Sequence, residues 1–69
     1  MFILSQNKKV VEEVKSVRVE KRPEAYAPDR YSLLCNGTVI GGYPTEELAK
    51  ATVKSIWVAL QSGYEYFEL

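Results

Sequence analysis

Histidine is absent from this chain of 69 residues, and cysteine occurs once, at Cys35. Without histidine, the chain lacks the usual general base near neutral pH and the usual partner of a serine or cysteine nucleophile. A zinc site would need carboxylates and one thiol, which is a poor ligand set. A single cysteine cannot form a disulfide within the chain. We therefore expect no enzyme activity, no metal and no cofactor.

Long apolar runs are also missing. A membrane-spanning helix needs roughly 20 mostly apolar residues, and the sequence has no run of that kind. The first residues carry no basic leader, and the apolar run at positions 1–4 is too short for a signal peptide. A free thiol and no export signal together indicate a reducing cytoplasm and no membrane partner.

An excess of charge is lacking as well, since nine basic and nine acidic side chains give a net charge of zero. Binding to a polyanion needs a basic surface, so nucleic acid is a less favoured partner. The length fits a single domain over residues 1–69. A core of this size seldom supplies more than about 3–5 kcal/mol without a disulfide or metal. We therefore expect a homo-oligomer.

The pattern of apolar residues predicts an α+β fold of four strands followed by one helix. Strands are predicted at residues 2–4, 10–20, 30–36 and 38–40, with a bulge or bend near Lys15 and Ser16. The helix is predicted from a Thr45 cap to Gln61. The arrangement is a four-stranded antiparallel sheet covered by one C-terminal helix (β-β-β-β-α). Residues 64–69 leave room for a short terminal strand.

Several local signals mark turns and ends of elements. Asn36 and Gly37 predict a type I′ hairpin turn, which needs positive φ at both central residues. Asn7 is the expected left-handed residue of the first turn, and Gly63 is placed for a left-handed helix cap. Residues with helical spacing predict one apolar stripe on the helix, formed by Ala49, Val53, Ile56, Trp57 and Leu60.

The loop over residues 21–29 is the candidate ligand site, because several cations and two tyrosines come together around it. Arginine can grip a phosphate with two parallel hydrogen bonds, and an aromatic ring can stack on a base. The candidate ligand-binding residues are Lys21, Arg22, Tyr26, Arg30 and Tyr31. A solvated strand edge protected by lysine explains the same cations without any ligand.

The aromatic residues of the second half are candidates for an oligomer interface, where aromatic side chains are enriched. The candidate interface residues are Trp57, Tyr64, Tyr66 and Phe67. Trp57 also suits the core of the chain itself. Cys35 alternates inward beside Leu33 and is expected to be a small core residue.

Residues 1–9 resemble the opening of short proteins from phages and prophages of Gram-positive bacteria: Met, an aromatic, two aliphatics, then Ser-Gln-Asn-Lys-Lys. Residues 40–43, Ile-Gly-Gly-Tyr, and residues 45–50, Thr-Glu-Glu-Leu-Ala-Lys, fit the same pattern. The resemblance implies an accessory protein acting inside a bacterial host cell. Small phage proteins of this kind often antagonise host defence. The strand order is also loosely similar to small coactivator-like folds that bind single-stranded nucleic acid.

Three functions therefore stay open. The first is a non-catalytic homo-oligomer that antagonises a bacterial defence system by sequestering a small phosphate-bearing ligand, a nucleotide second messenger. The second is an inhibitor that covers a host defence protein with a sheet edge or the helix. The third is single-stranded nucleic-acid binding, which the neutral charge disfavours.

Overall fold

The computed structural model describes residues 1–23 and 28–69, which form two small β-sheets and one α-helix. In chain order the elements are β1 (Phe2–Leu4), β2 (Val11–Glu13), β3 (Val17–Lys21), β4 (Tyr31–Cys35), β5 (Thr38–Tyr43), α1 (Glu46–Gln61) and β6 (Tyr66–Glu68). The predicted α+β class is confirmed, and so is the short terminal strand. Over the described residues, no helix combines the length and apolar character that crossing a membrane requires.

The prediction of one four-stranded sheet is wrong, because the strands divide between two sheets of three. The amino-terminal sheet has the order β2-β1-β6, and the second sheet has the order β3-β4-β5. Strand β6 pairs parallel with β1, whereas the other pairs are antiparallel. The segment predicted as one bent strand over residues 10–20 is two strands, β2 and β3, which belong to different sheets.

Residues 14–16, which we call the elbow, carry the chain from one sheet to the other. The backbone N–H groups of Lys15 and Ser16 donate to Oδ1 of Asn36 over 2.9 and 3.0 Å. Nδ2 of Asn36 donates in return to the carbonyl of Glu13 over 2.5 Å. Lys15 and Ser16 are exposed, and their N–H groups bond to a side chain of the β4–β5 turn instead of a strand. The N–H of Val14 still donates to the carbonyl of Met1 over 2.8 Å, so the chain leaves the β1–β2 ladder after Val14.

The hairpin turn between β4 and β5 places that asparagine. Asn36 has a φ of 54° and Gly37 a φ of 83°, so the predicted turn with two positive φ values is confirmed. Asparagine is among the few residue types that adopt this conformation readily. Its backbone N–H also donates to the carbonyl of Ser16 over 2.9 Å. One residue therefore serves both the hairpin and the elbow.

The first turn differs from the prediction in its left-handed residue. Lys8 has a φ of 66°, and no positive φ occurs at Asn7. The reason is that Oδ1 of Asn7 accepts hydrogen bonds from the Ser5 hydroxyl over 2.7 Å and from the Lys9 N–H over 3.0 Å. Asn7 thus uses its side chain to close the turn, and the next residue takes the unusual backbone conformation.

Both predicted helix caps are confirmed. Oγ1 of Thr45 accepts a hydrogen bond from the N–H of Leu48 over 3.3 Å. At the other end, Gly63 has a φ of 77°, and the N–H of Tyr64 donates to the carbonyl of Ala59 over 3.1 Å. This is the hydrogen bond of a Schellman cap, which allows the chain to turn toward β6.

The core lies between the sheets and one side of the helix. Its fully or almost fully buried members are Ile3, Leu33, Cys35, Ile40 and Ile56. Helix α1 packs against β3, β4 and β5, with Ala49, Ile56 and Ala59 as its buried positions. The predicted apolar stripe is only partly covered, because Trp57 and Leu60 are exposed. Trp57 lies about 100° around the helix from Ile56, beyond the side that faces the sheet.

We expect Asn36→Gly to lower the free energy of unfolding by about 1–3 kcal/mol, because each lost hydrogen bond contributes about 0.5–1.5 kcal/mol. Glycine keeps the positive φ of the turn, so the loss reports on the elbow alone. Urea unfolding followed by far-UV circular dichroism, at one protein concentration, measures the change.

Asn36→Asp is the matched variant. It keeps the acceptor for the N–H groups of Lys15 and Ser16 but replaces the donor to the Glu13 carbonyl and to Oε2 of Glu12 with an oxygen. Its stability should fall below that of the parent, because this oxygen repels the two acceptors that it faces. A glycine variant as stable as the parent would show that Asn36 does not hold the elbow.

Candidate functional site

The outer surface of the amino-terminal sheet is apolar. Ile3 is fully buried, so its neighbours Phe2 and Leu4 lie on the opposite side of β1, because side chains alternate along a strand. The strand register sets Val11 beside Leu4 and Tyr66 beside Phe2. We call the surface formed by Phe2, Leu4, Val11 and Tyr66 the outer face.

The outer face is open to solvent. Phe2, Val11 and Tyr66 are 43%, 63% and 75% exposed. The rings of Phe2 and Tyr66 stack on each other, with centroids 6.4 Å apart and planes inclined by 26°. A shallow groove of about 710 Å³ runs across the face. A contiguous apolar surface of this kind usually marks a place where another molecule docks.

Charged residues lie at both ends of the outer face. Glu68 lies beside Leu4 and lines the groove, and the Lys8 ammonium offsets its charge. The other two charged residues, Lys9 and Glu13, differ in sign and lie at opposite ends. Glu13 lies opposite Phe2 at one end. Lys9 lies two residues before β2 at the other end, and exposure alternates along residues 9–13 so that Lys9, Val11 and Glu13 share one side. Within residues 1–23 and 28–69, neither Lys9 nor Glu13 has an ion-pair partner.

Lys8 fastens the end of the chain to the first turn. Its ammonium group lies 2.7 Å from Oε1 of Glu68 and also donates to the carbonyl of Leu69 over 2.7 Å. The hydrogen bond from Lys8, and then the attraction of its charge, hold the pKa of the Glu68 carboxyl below its ordinary value. Because both side chains are exposed, the pair matters more for positioning β6 than for overall stability.

The four predicted interface residues do not form one surface. Trp57, Tyr64 and Tyr66 are 58%, 64% and 75% exposed, whereas Phe67 is half-buried and packs against the core. Tyr64 and Tyr66 line a second groove, at the end of α1, together with Phe2. Trp57 stands on the helix outside that groove. Of the four predicted interface residues, the structure therefore brings together Tyr64 and Tyr66.

Sequence reasoning missed Phe2 and Val11 as surface residues. The signal was present in β1, where Phe2, Ile3 and Leu4 are all apolar. A strand with apolar residues on both sides needs cover on both sides. A single chain of this length offers one helix, and that helix covers the second sheet.

The predicted ligand-binding residues lie at the base of the loop. Lys21 and Tyr31 face each other across the β3–β4 ladder. The N–H of Arg22 donates to the carbonyl of Arg30 over 2.6 Å. Tyr26 lies outside the described residues. The backbone thus brings four of the five residues together in two facing pairs.

The side chains of the two arginines nevertheless border different pockets, each of which holds carboxylates. A Cβ on Gly42 would stand 3.3 Å from Nη1 of Arg22 and 3.2 Å from Oδ2 of Asp29, beside a pocket of about 200 Å³. Arg30 borders a pocket at the start of α1 that the two glutamates of the first helical turn also line. An anion in either pocket would meet an acidic group as well as an arginine.

Cys35 is a core residue, as predicted. Burial, and then the charge of Glu12, raise the pKa of its thiol, so the thiol stays protonated at neutral pH. Over residues 1–23 and 28–69, no three histidine, cysteine, aspartate or glutamate side chains are grouped to hold a metal ion.

The comparisons with known proteins give no match: no family model, no curated protein and no solved structure matches the chain. The resemblance of residues 1–9 to small phage proteins stays a prediction. The surfaces described above are therefore what a functional proposal must rest on. Two of them are apolar and exposed, on the outer face and on the helix, and the pockets beside the two arginines contain acidic as well as basic groups.

We expect Lys8→Met to return the pKa of Glu68 to its ordinary value. Pairing with Lys8 lowers the pKa of the Glu68 carboxyl in the folded chain. The ion pair therefore stabilises the fold at pH values above the unfolded-state pKa of about 4.3. This contribution disappears as the pH falls through the folded-state pKa. NMR titration of the Glu68 carboxyl measures both values.

Lys9→Met is the matched control, since Lys9 lies in the same turn and makes no ion pair with the described residues. It should leave the titration of Glu68 unchanged. If the Glu68 carboxyl titrates identically in the parent and in Lys8→Met, the ion pair between Lys8 and Glu68 is not formed in solution.

Proposed function

We propose that this chain is a small non-catalytic binding protein that associates with itself and antagonises a bacterial defence system by covering one of its proteins. It acts inside the bacterial host cell. The protein-covering function has the best support, because several large apolar side chains are exposed, whereas the two arginines of the loop border separate pockets. The single observation that carries it is the exposure of Trp57 on α1.

The solvent side of the helix has the chemistry of a protein-binding surface. Trp57 and Val58 follow Lys54 by three and four residues, so the three side chains are neighbours on the helix. Trp57 is 58% and Val58 49% exposed. Lys50 stands one turn earlier and pairs with Glu46 over 2.7 Å. This combination suits a target with an apolar pocket beside acidic residues, and tryptophan is among the residues that dominate binding energies at interfaces.

The nucleotide-sequestering alternative has weaker support. A phosphate site needs several cations directed at one place, but Arg22 and Arg30 border separate pockets that also contain carboxylates. Lys21 and Tyr31 do lie side by side, which is the feature that favours this alternative. Single-stranded nucleic-acid binding is disfavoured further by the net charge of zero.

The covering function predicts a specific loss in Trp57→Ala. Expression of the parent in bacteria that carry a sensitive defence system should raise phage plating at least about tenfold, and Trp57→Ala should abolish the effect. The loss follows because removing an interface tryptophan commonly costs about 2 kcal/mol or more. Plating efficiency on matched strains with and without the defence system is the measurement.

Ser55→Ala is the control, because Ser55 is an exposed helix residue whose hydroxyl donates only to the carbonyl of Ala51. Both variants should keep the parent's circular dichroism and melting temperature. A Trp57→Ala chain that protects phage as well as the parent would refute the covering function by this helix.

The nucleotide alternative makes a different prediction for the loop. If it is correct, cyclic nucleotides will bind the parent, and Arg22→Ala or Arg30→Ala will weaken binding about tenfold or more, because charge-assisted bonds contribute about 1.5–3 kcal/mol. Titration calorimetry with a panel of cyclic nucleotides, at two salt concentrations, measures this. We expect no binding in the parent.

A further inference from the structure

We propose that the outer face binds the outer face of a second copy of this chain, in a symmetric dimer whose two-fold axis crosses the strands. This inference deepens the self-association in the proposed function and gives it a surface. It is independent of the covering role of Trp57, which lies on the helix. Three observations carry it: the exposed apolar centre, the distribution of charge around it, and the area available.

The exposed apolar centre has no cover within the described chain. The helix packs on β3, β4 and β5, whereas Phe2, Val11 and Tyr66 remain exposed on the other sheet. Two sheets that pack face to face lie about 10 Å apart with their inner side chains interdigitated. The groove across the outer face can therefore receive the aromatic side chains of an identical face.

The charges around the face are complementary to those of a second copy in that orientation. A two-fold axis across the strands makes β2 of one chain run antiparallel to β2 of the other. The Lys9 end of one chain then meets the Glu13 end of its copy, twice in each dimer. Glu68 also lies at the Lys9 end, but Lys8 of the same chain offsets its charge. Within one chain these two residues lie four positions apart along an extended strand, about 13 Å, and neither has an ion-pair partner among the described residues.

The area is of the order that a dimer of moderate affinity requires. An aromatic side chain can bury about 150–250 Å², so the exposed parts of Phe2 and Tyr66 provide on the order of 200–300 Å². Leu4 and Val11 enlarge this centre, and Lys9 and Glu13 add a polar rim. A standard interface buries about 800 Å² on each partner around such a centre. The outer face and its rim thus supply a large part of one partner's share.

Sedimentation equilibrium over a range of concentrations tests the dimer. The parent should be a dimer at micromolar concentration, and Tyr66→Ser should raise the dissociation constant at least about tenfold, since tyrosine is enriched among the residues that dominate interfaces. Leu48→Ala is the control, because Leu48 is an exposed apolar residue near the start of α1, away from the outer face. It should change the constant less than about threefold.

Charge reversal tests the orientation. Lys9→Glu and Glu13→Lys should each weaken the dimer about tenfold, because each places like charges together twice, and tenfold corresponds to about 1.4 kcal/mol. The double variant should return to near the parent's constant. The two residues lie about 13 Å apart along the strand and make no ion pair within one chain, so a rescue by the double variant indicates contact between chains.

The outcomes separate this proposal from the covering function, since sedimentation involves no target. A parent that is monomeric at every concentration overturns the dimer, even if Trp57→Ala abolishes protection of phage. Loss of phage protection in Tyr66→Ser with a monomeric parent would instead assign the outer face to a foreign protein. A dimer that Tyr66→Ser leaves intact, or a double variant without rescue, overturns the face or the orientation. A Trp57→Ala chain should remain dimeric.

Discussion

The hydrogen bonds between the Asn36 side chain and the elbow determine how the two sheets are joined. They give the N–H groups of Lys15 and Ser16 partners outside a strand ladder, at the point where the chain passes from β2 to β3 and the two sheets separate. The outer face depends on this separation, because it exists only where β1 and β2 stand apart from the helix-covered sheet.

Features decided by neighbouring residues could be predicted from the sequence. The turn at Asn36 and Gly37, the Thr45 cap and the Gly63 cap each depend on a few adjacent positions, and all three are as expected. Membership of a sheet is different, because it depends on residues far apart in the chain. At the junction of the two sheets, the side chain of Asn36 bonds to residues 13, 15 and 16, and no local sequence pattern indicates such a contact.

The candidate surfaces follow the same rule. Tyr66 could be predicted as an interface residue from its position in the aromatic segment over residues 64–67. Phe2 and Val11 could not, because they belong to other strands and come near Tyr66 only through the strand register. Arg22 and Arg30 are close in sequence and bonded through their backbones. Their side chains still border separate pockets, because closeness along the chain does not fix the direction of a long side chain.

The parallel pairing of β6 with β1 has a consequence for folding order. The second sheet and the helix are built from segments that follow one another, whereas β6 must find a strand about 64 residues away. Closing so long a loop costs entropy, and pairings of this range form slowly. We expect this pairing to form after the second sheet and the helix. A molecule that docks across β1 and β6 would recognise only chains in which these two strands have already paired.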